Sequence, residues 1–169
     1  MKREYDFGNI SSETGFNTVQ IEKVCIGSPI LENISQVRFM RNRLSLYGGT
    51  ALAFIHFDAI ERISVDIDFN YRHIDDGDWG KVRDRIDSNM KTILYGLGYS
   101  DGDIRINSTH PLNRFTVKYR NHLGRPDEIK IETGYRRRIP ILKEDKEYDF
   151  YHVGSHNRLA EAVASAIVE

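Results

Sequence analysis

Leu46-Tyr47-Gly48-Gly49-Thr50-Ala51-Leu52, followed after a short gap by Arg62-Ile63-Ser64-Val65-Asp66-Ile67-Asp68-Phe69, is the part of the chain that decides the fold. A Gly-Gly-Thr turn leads into a short apolar helix, and an Asp-x-Asp pair then sits among Val65, Ile67 and Phe69. Alternate residues of a strand share a face, so Asp66 and Asp68 project from one side while the three apolar side chains bury the other. Two carboxylates held that close repel each other unless a cation lies between them. The pattern asks for a hard divalent metal. The glycine turn offers what a metal-bound phosphate needs, backbone N–H groups at the start of a helix.

On the N-terminal side, Val19, Ile21, Val24, Ile30, Leu31, Ile34 and Val37 recur at helical spacing. Gly27-Ser28-Pro29 interrupts it, which predicts separate helical segments between Asn17 and Phe39. Residues 1–14 are polar and are expected to be frayed. Arg43 to Tyr47 reads as a short strand ended by Gly48-Gly49, Thr50 to Phe57 as a helix with Leu52 and Ile55 inward, and Val65 to Asn70 as the strand carrying both aspartates.

Further on, Asp75-Asp76-Gly77-Asp78 forms a turn with an N-cap. Trp79, Val82, Ile86, Ile93 and Leu97 then line an amphipathic helix closed by Gly96 and Gly98. Strand-like runs follow at Asp103–Asn107, Arg114–Tyr119 and Glu128–Thr133, the last two joined through Asn121–Pro126 as a hairpin. A linker near Pro140, a strand at Tyr148–Val153 and a helix capped by Ser155, with Leu159, Val163 and Ile167 in line, complete the pattern. The expected class is α+β, a mixed sheet with helices packed on it.

A chain of 169 residues with 40% apolar content fits one domain with its own core. Twenty-four basic against 25 acidic residues give a net charge of −1, so no global basic field advertises nucleic acid; Arg136-Arg137-Arg138 is a local candidate for an RNA backbone. Cys25 is the sole cysteine, which excludes an intramolecular disulfide and a cysteine zinc site. The N-terminus lacks an apolar signal region and no apolar run approaches a membrane span, so a cytoplasmic protein with no membrane partner is expected. The six histidines show no ligand spacing, and Tyr and Phe lack the interleaving of a base-stacking platform.

An isolated Asp-x-Asp is more often a solvated strand face; its company argues for metal. In Ile129-Lys130-Ile131-Glu132 the isoleucines face the core, so Lys130 and Glu132 lie together on the opposite face. If this strand neighbours that of Asp66 and Asp68, three carboxylates and a lysine converge. Such a set suits two-metal phosphoryl or nucleotidyl transfer on Mg²⁺ or Mn²⁺, with Asp66, Asp68 and Glu132 as metal ligands. Lys130 would meet phosphate as a point charge. Asp68 or Glu132 would deprotonate the acceptor. Gly48, Gly49 and Thr50 would cradle a nucleoside triphosphate, with Ser64 and Arg62 as further nucleotide contacts.

Gly48-Gly49-Thr50-Ala51-Leu52 with Arg62-x-Ser64-x-Asp66-x-Asp68-Phe69 resembles the AbiEii-type nucleotidyltransferases, toxins of abortive-infection toxin–antitoxin systems within the DNA polymerase β-like superfamily. Lys130-x-Glu132 is similar to that family's second motif, and the resemblance spans roughly residues 17–134. It implies a nucleotidyltransferase fold, Mg²⁺, a nucleoside triphosphate donor, an acceptor that for some members is a tRNA end, and a separately encoded antitoxin. The family usually continues into a helical domain with a further lysine and an Asp-rich motif. Here no Lys follows Lys146, no Asp follows Asp149, and Ala162 stands near where the lysine belongs. The expectation is a nucleotidyltransferase core over 1–154, with 155–169 the start of a short or missing C-terminal helical part. The competing reading is a truncated or degenerate, non-catalytic relative that binds nucleotide or an antitoxin.

Overall fold

The computed structural model describes residues 4–51, 63–72 and 77–136, together with the backbone of 167–168. Its centre is a five-stranded mixed sheet. β2 (Leu44–Tyr47), β3 (Ile67–Tyr71), β4 (Ile104–Thr109), β5 (Leu112–Arg120) and β6 (Pro126–Gly134) lie in the order β2-β3-β6-β5-β4. Only β3 and β6 run parallel; every other neighbouring pair is antiparallel. Burial alternates along β3 and through the second half of β6, where Ile67, Phe69, Ile129 and Ile131 are buried and the polar residues between them are not. That alternation is what the strand period dictates for a sheet with one covered face.

The cover is two helices. α2 (Thr18–Gln36) brings Ile30, Leu31 and Ile34, and α5 (Trp79–Gly96) brings Ile86, Met90, Ile93 and Leu94, into one core with Phe69, Phe115, Val117 and Ile131. Asp78 caps α5 by accepting from the Lys81 N–H, as its sequence foretells. α3 (Arg38–Arg41) and α4 (Gly48–Ala51) are single turns flanking β2. The α+β class, the mixed sheet and the 121–126 hairpin turn are as expected.

Three local expectations are corrected. Residues 1–14 are not frayed throughout: β1 (Glu4–Tyr5) leads to α1 (Phe7–Thr14), capped by Asp6 and closed by Gly15 at φ +76°. Ile10 is fully buried there, in a second cluster with Ile21, Val24, Cys25 and Ile63. The helix of Val19 to Val37 is not broken at Gly27-Ser28-Pro29 but runs continuously as α2. Pro29 removes one N–H, a loss that a helix held by packing tolerates. The Ser28 hydroxyl donates to the Val24 carbonyl, and Gly27 packs toward Ile67 of the sheet. Ile167, expected in a closing helix, lies instead with Val168 in β7 (Ile167–Val168), which pairs antiparallel with β1 through Tyr5↔Ile167 and Glu4↔Val168; two β-branched residues suit a strand. The helix expected over 50–57 beyond Ala51, the linker at Pro140 and the strand at 148–153 lie outside the described residues.

α2 is also anchored by charge at the far end of the β5–β6 hairpin. Glu22, only 6% exposed, accepts from the His122 N–H at 3.0 Å, and its Oε2 stands 2.6 Å from His122 Nδ1. Beside it, Lys23 Nζ meets Asp127 Oδ1 at 2.7 Å. Burial alone would raise the Asp127 carboxyl, but hydrogen bonds from Lys23 and the Glu128 N–H, with the lysine charge, hold it below its ordinary 3.8. A carboxyl lowered in the folded state stabilises above its unfolded value and loses that contribution as pH falls through the folded one. Lys23→Met is therefore expected to cost about 0.5–1 kcal/mol at neutral pH and nothing once Asp127 is protonated. Denaturant unfolding at both ends of that range checks it, and an equal loss at acid pH would be the wrong result.

Candidate functional site

Residues paired across neighbouring strands point to the same face, so strand register decides which side chains meet. Tyr47↔Asp68, Asp68↔Glu132, Arg114↔Glu132 and Asn107↔Arg114 form one row across all five strands. The row lies on the face away from α2 and α5, because Ile67, Phe69, Phe115 and Ile131, which alternate with it, face the helices. Asp68 and Glu132 thus meet side by side across the parallel β3–β6 pair, as their motifs require. Asp66 is exposed and sits in the bend just before β3 rather than inside it, two positions from Asp68. Burial first, then the charges of Glu132 and Asp66, push the Asp68 carboxyl above its ordinary value.

The glycine turn closes on this carboxylate. Gly48 adopts φ +74°, and a Cβ there would stand 2.7 Å from Asp68 Oδ2. A Cβ on Gly49 would stand 2.7 Å from both Cβ and Oγ of Ser64. Both positions demand glycine, and the bare backbone of the turn lies directly against Asp68 and Ser64. Thr50 is buried, and its hydroxyl donates to the Asp66 carbonyl oxygen. It therefore fixes the entry to β3 from α4. Lys130 lies on the face of Glu132, 40% exposed, with Nζ 3.7 Å from Glu128. Arg136 is exposed, while Arg62, Arg137 and Arg138 lie outside the described residues. A small, half-open cleft borders Thr50 and Ser64 from the α2 side, where Lys23, Gly27 and Ile67 line it; neither Asp68 nor Glu132 does.

One residue of the row escaped the sequence reading. Arg114 Nε donates to Glu132 Oε1 at 2.6 Å. No three Asp, Glu, His or Cys side chains among the described residues are arranged to hold a metal ion. The donor types nonetheless suit a hard divalent cation: Asp68 lies beside Glu132 across the β3–β6 pair and two positions from Asp66, and the charge of each raises its carboxyl. Cys25 offers no alternative nucleophile, since burial, then the charge of Glu22, pushes its thiol up to about 12.

A five-stranded mixed sheet with helices on one face and paired carboxylates beside a Gly-Gly turn on the other is a nucleotidyltransferase-like architecture. The family model for the nucleotidyl transferase AbiEii toxins of type IV toxin–antitoxin systems matches residues 30–153, well over half of the chain and all of the motifs above. The chain belongs to that family. Membership implies nucleotidyltransferase activity in general and an antitoxin counterpart. No curated protein and no solved structure matches the chain. Among the described residues no helix is long and apolar enough to cross a membrane.

Proposed function

We propose that the chain transfers a nucleotidyl group from a nucleoside triphosphate to an acceptor hydroxyl in a divalent-metal-dependent reaction, as the toxin of a toxin–antitoxin pair. The observation that carries this reading is the register of Asp68 against Glu132, with Gly48 closed on Asp68. Asp66, Asp68 and Glu132 would hold Mg²⁺ or Mn²⁺. The ion, when bound, supplies charge neutralisation for the triphosphate and the leaving pyrophosphate.

The protein's own groups do the rest. The acceptor oxygen attacks the α-phosphorus, the bond to pyrophosphate breaks, and a carboxylate oxygen of Asp68 or Glu132 takes the hydroxyl proton. Lys130 balances phosphate charge from the same face, and Ser64, against which Gly49 packs, adds a phosphate contact. Arg62 would add a second nucleotide contact. The acceptor that the family resemblance implies is an RNA such as a tRNA end, with Arg136, Arg137 and Arg138 on its backbone and a cognate antitoxin as the protein partner.

Calorimetry tests the reading. Nucleoside triphosphate is expected to bind only with Mg²⁺ or Mn²⁺ present, because its phosphates otherwise approach unscreened carboxylates. Equal affinity with and without the ion would defeat the proposal. Metal-dependent binding without transfer of labelled nucleotide to RNA would favour the non-catalytic reading instead.

A further inference from the structure

Glu132 stands between two strand neighbours of opposite character. On one side is Asp68, which feels the charges of Glu132 and Asp66; on the other is Arg114, whose Nε–H reaches Glu132 Oε1 at 2.6 Å. The arginine is fixed there by register, because Arg114↔Glu132 is one rung of the β5–β6 ladder. Its side chain is 40% exposed and that of Glu132 20%. Among the described residues only its Nε is hydrogen-bonded, which leaves the two terminal amino groups of the guanidinium for another acceptor. The contact is also single, so Glu132 Oε2 is not part of it.

We propose that Arg114 is a displaceable counter-ion of the carboxylate cluster, pairing with Glu132 while no divalent ion is held and passing to a phosphate oxygen when ion and triphosphate enter together. This rests on the metal–nucleotide reading above and adds a positioning residue to it. The argument is electrostatic. A guanidinium bonded to Glu132 neutralises the charge that a divalent ion would use and repels the ion itself, so the two compete. A triphosphate reverses the sign, because its oxygens are better acceptors for a planar cation with five donors than one engaged carboxylate oxygen. Arg114 thus opposes the free ion and favours the ion–nucleotide complex. A residue that merely held the sheet together would do neither selectively.

The full chain is compared with Arg114→Gln, which keeps a hydrogen-bonding stem without charge, and Arg114→Lys, which keeps the charge. Bound Mn²⁺ is read by electron paramagnetic resonance, and binding of a non-hydrolysable triphosphate with Mn²⁺ by calorimetry. Thermal melts in chelator establish that each variant is folded. Arg114→Gln is expected to bind free Mn²⁺ about threefold or more tighter and the triphosphate about tenfold weaker in the presence of Mn²⁺. Arg114→Lys should return both values toward the parent. Unchanged or weaker Mn²⁺ binding by Arg114→Gln, or undiminished triphosphate binding, overturns the counter-ion role while leaving the metal reading intact. Absence of Mn²⁺ binding in all three proteins removes the metal reading and this proposal with it.

Discussion

Asp68→Asn is expected to weaken metal–triphosphate binding and transfer by more than about 100-fold, the upper end of what groups merely supporting a metal ligand contribute. The metal-free protein should meanwhile become no less stable. The two effects share one cause. Asp68 is partly buried beside Glu132 and near Asp66, and its carboxyl is held above the ordinary range by burial and by those charges. Its ionised form is therefore strained at neutral pH in the absence of a cation, and the isosteric amide relieves that strain without leaving a cavity. Asp66→Asn should abolish transfer as well, with little change in stability, because Asp66 is exposed. The measurements are calorimetry with Mn²⁺ and triphosphate, and thermal melts in chelator. Asp68→Asn within tenfold of the parent in affinity, or clearly less stable than the parent without metal, would contradict the assignment.

How much of this could be read beforehand depended on the distance over which each signal acts. The Asp68–Glu132 meeting follows from two local patterns and one assumption of adjacency, and the β3–β6 pairing supplies the adjacency. Arg114 was also within reach. Once the Asn121–Pro126 turn is taken as a hairpin pairing Arg120 with Pro126, six steps back and six forward place Arg114 opposite Glu132. The signal lay in counting the ladder, whereas Arg114 by itself looks like any strand arginine.

Other features had no local signal. α1 presents Ile10 as its one fully buried residue among polar neighbours, so no period shows, and only Asp6 and Gly15 mark its ends. The Glu22–His122 contact joins residues 100 positions apart, and no spacing rule connects them. At Pro29 the local rule was overridden by packing, since Ile30, Leu31 and Ile34 hold the following turns in the core.

Gly48→Ala is expected to combine two losses that a second glycine can separate. Residue 48 has φ +74°, where an L-residue costs about 1–2 kcal/mol. The added methyl group would also stand 2.7 Å from Asp68 Oδ2, closer than a Cβ tolerates, so the carboxylate must swing away or the turn must open. Oδ2 is the end of a rotatable side chain, so the carboxylate is expected to turn away from the position it holds beside Glu132. Gly124 shares the strain, with φ +74° in the hairpin turn, but a Cβ there meets nothing within 4 Å. Gly124→Ala should therefore lose the same 1–2 kcal/mol or so of stability and bind metal–triphosphate as the parent does. Gly48→Ala should lose at least as much stability and, in addition, most of the affinity that Asp68→Asn loses. Denaturant unfolding and calorimetry on the two variants make the comparison. If Gly48→Ala binds metal–triphosphate like Gly124→Ala, the contact between the glycine turn and Asp68 is a matter of folding alone, and the turn has no part in holding the nucleotide.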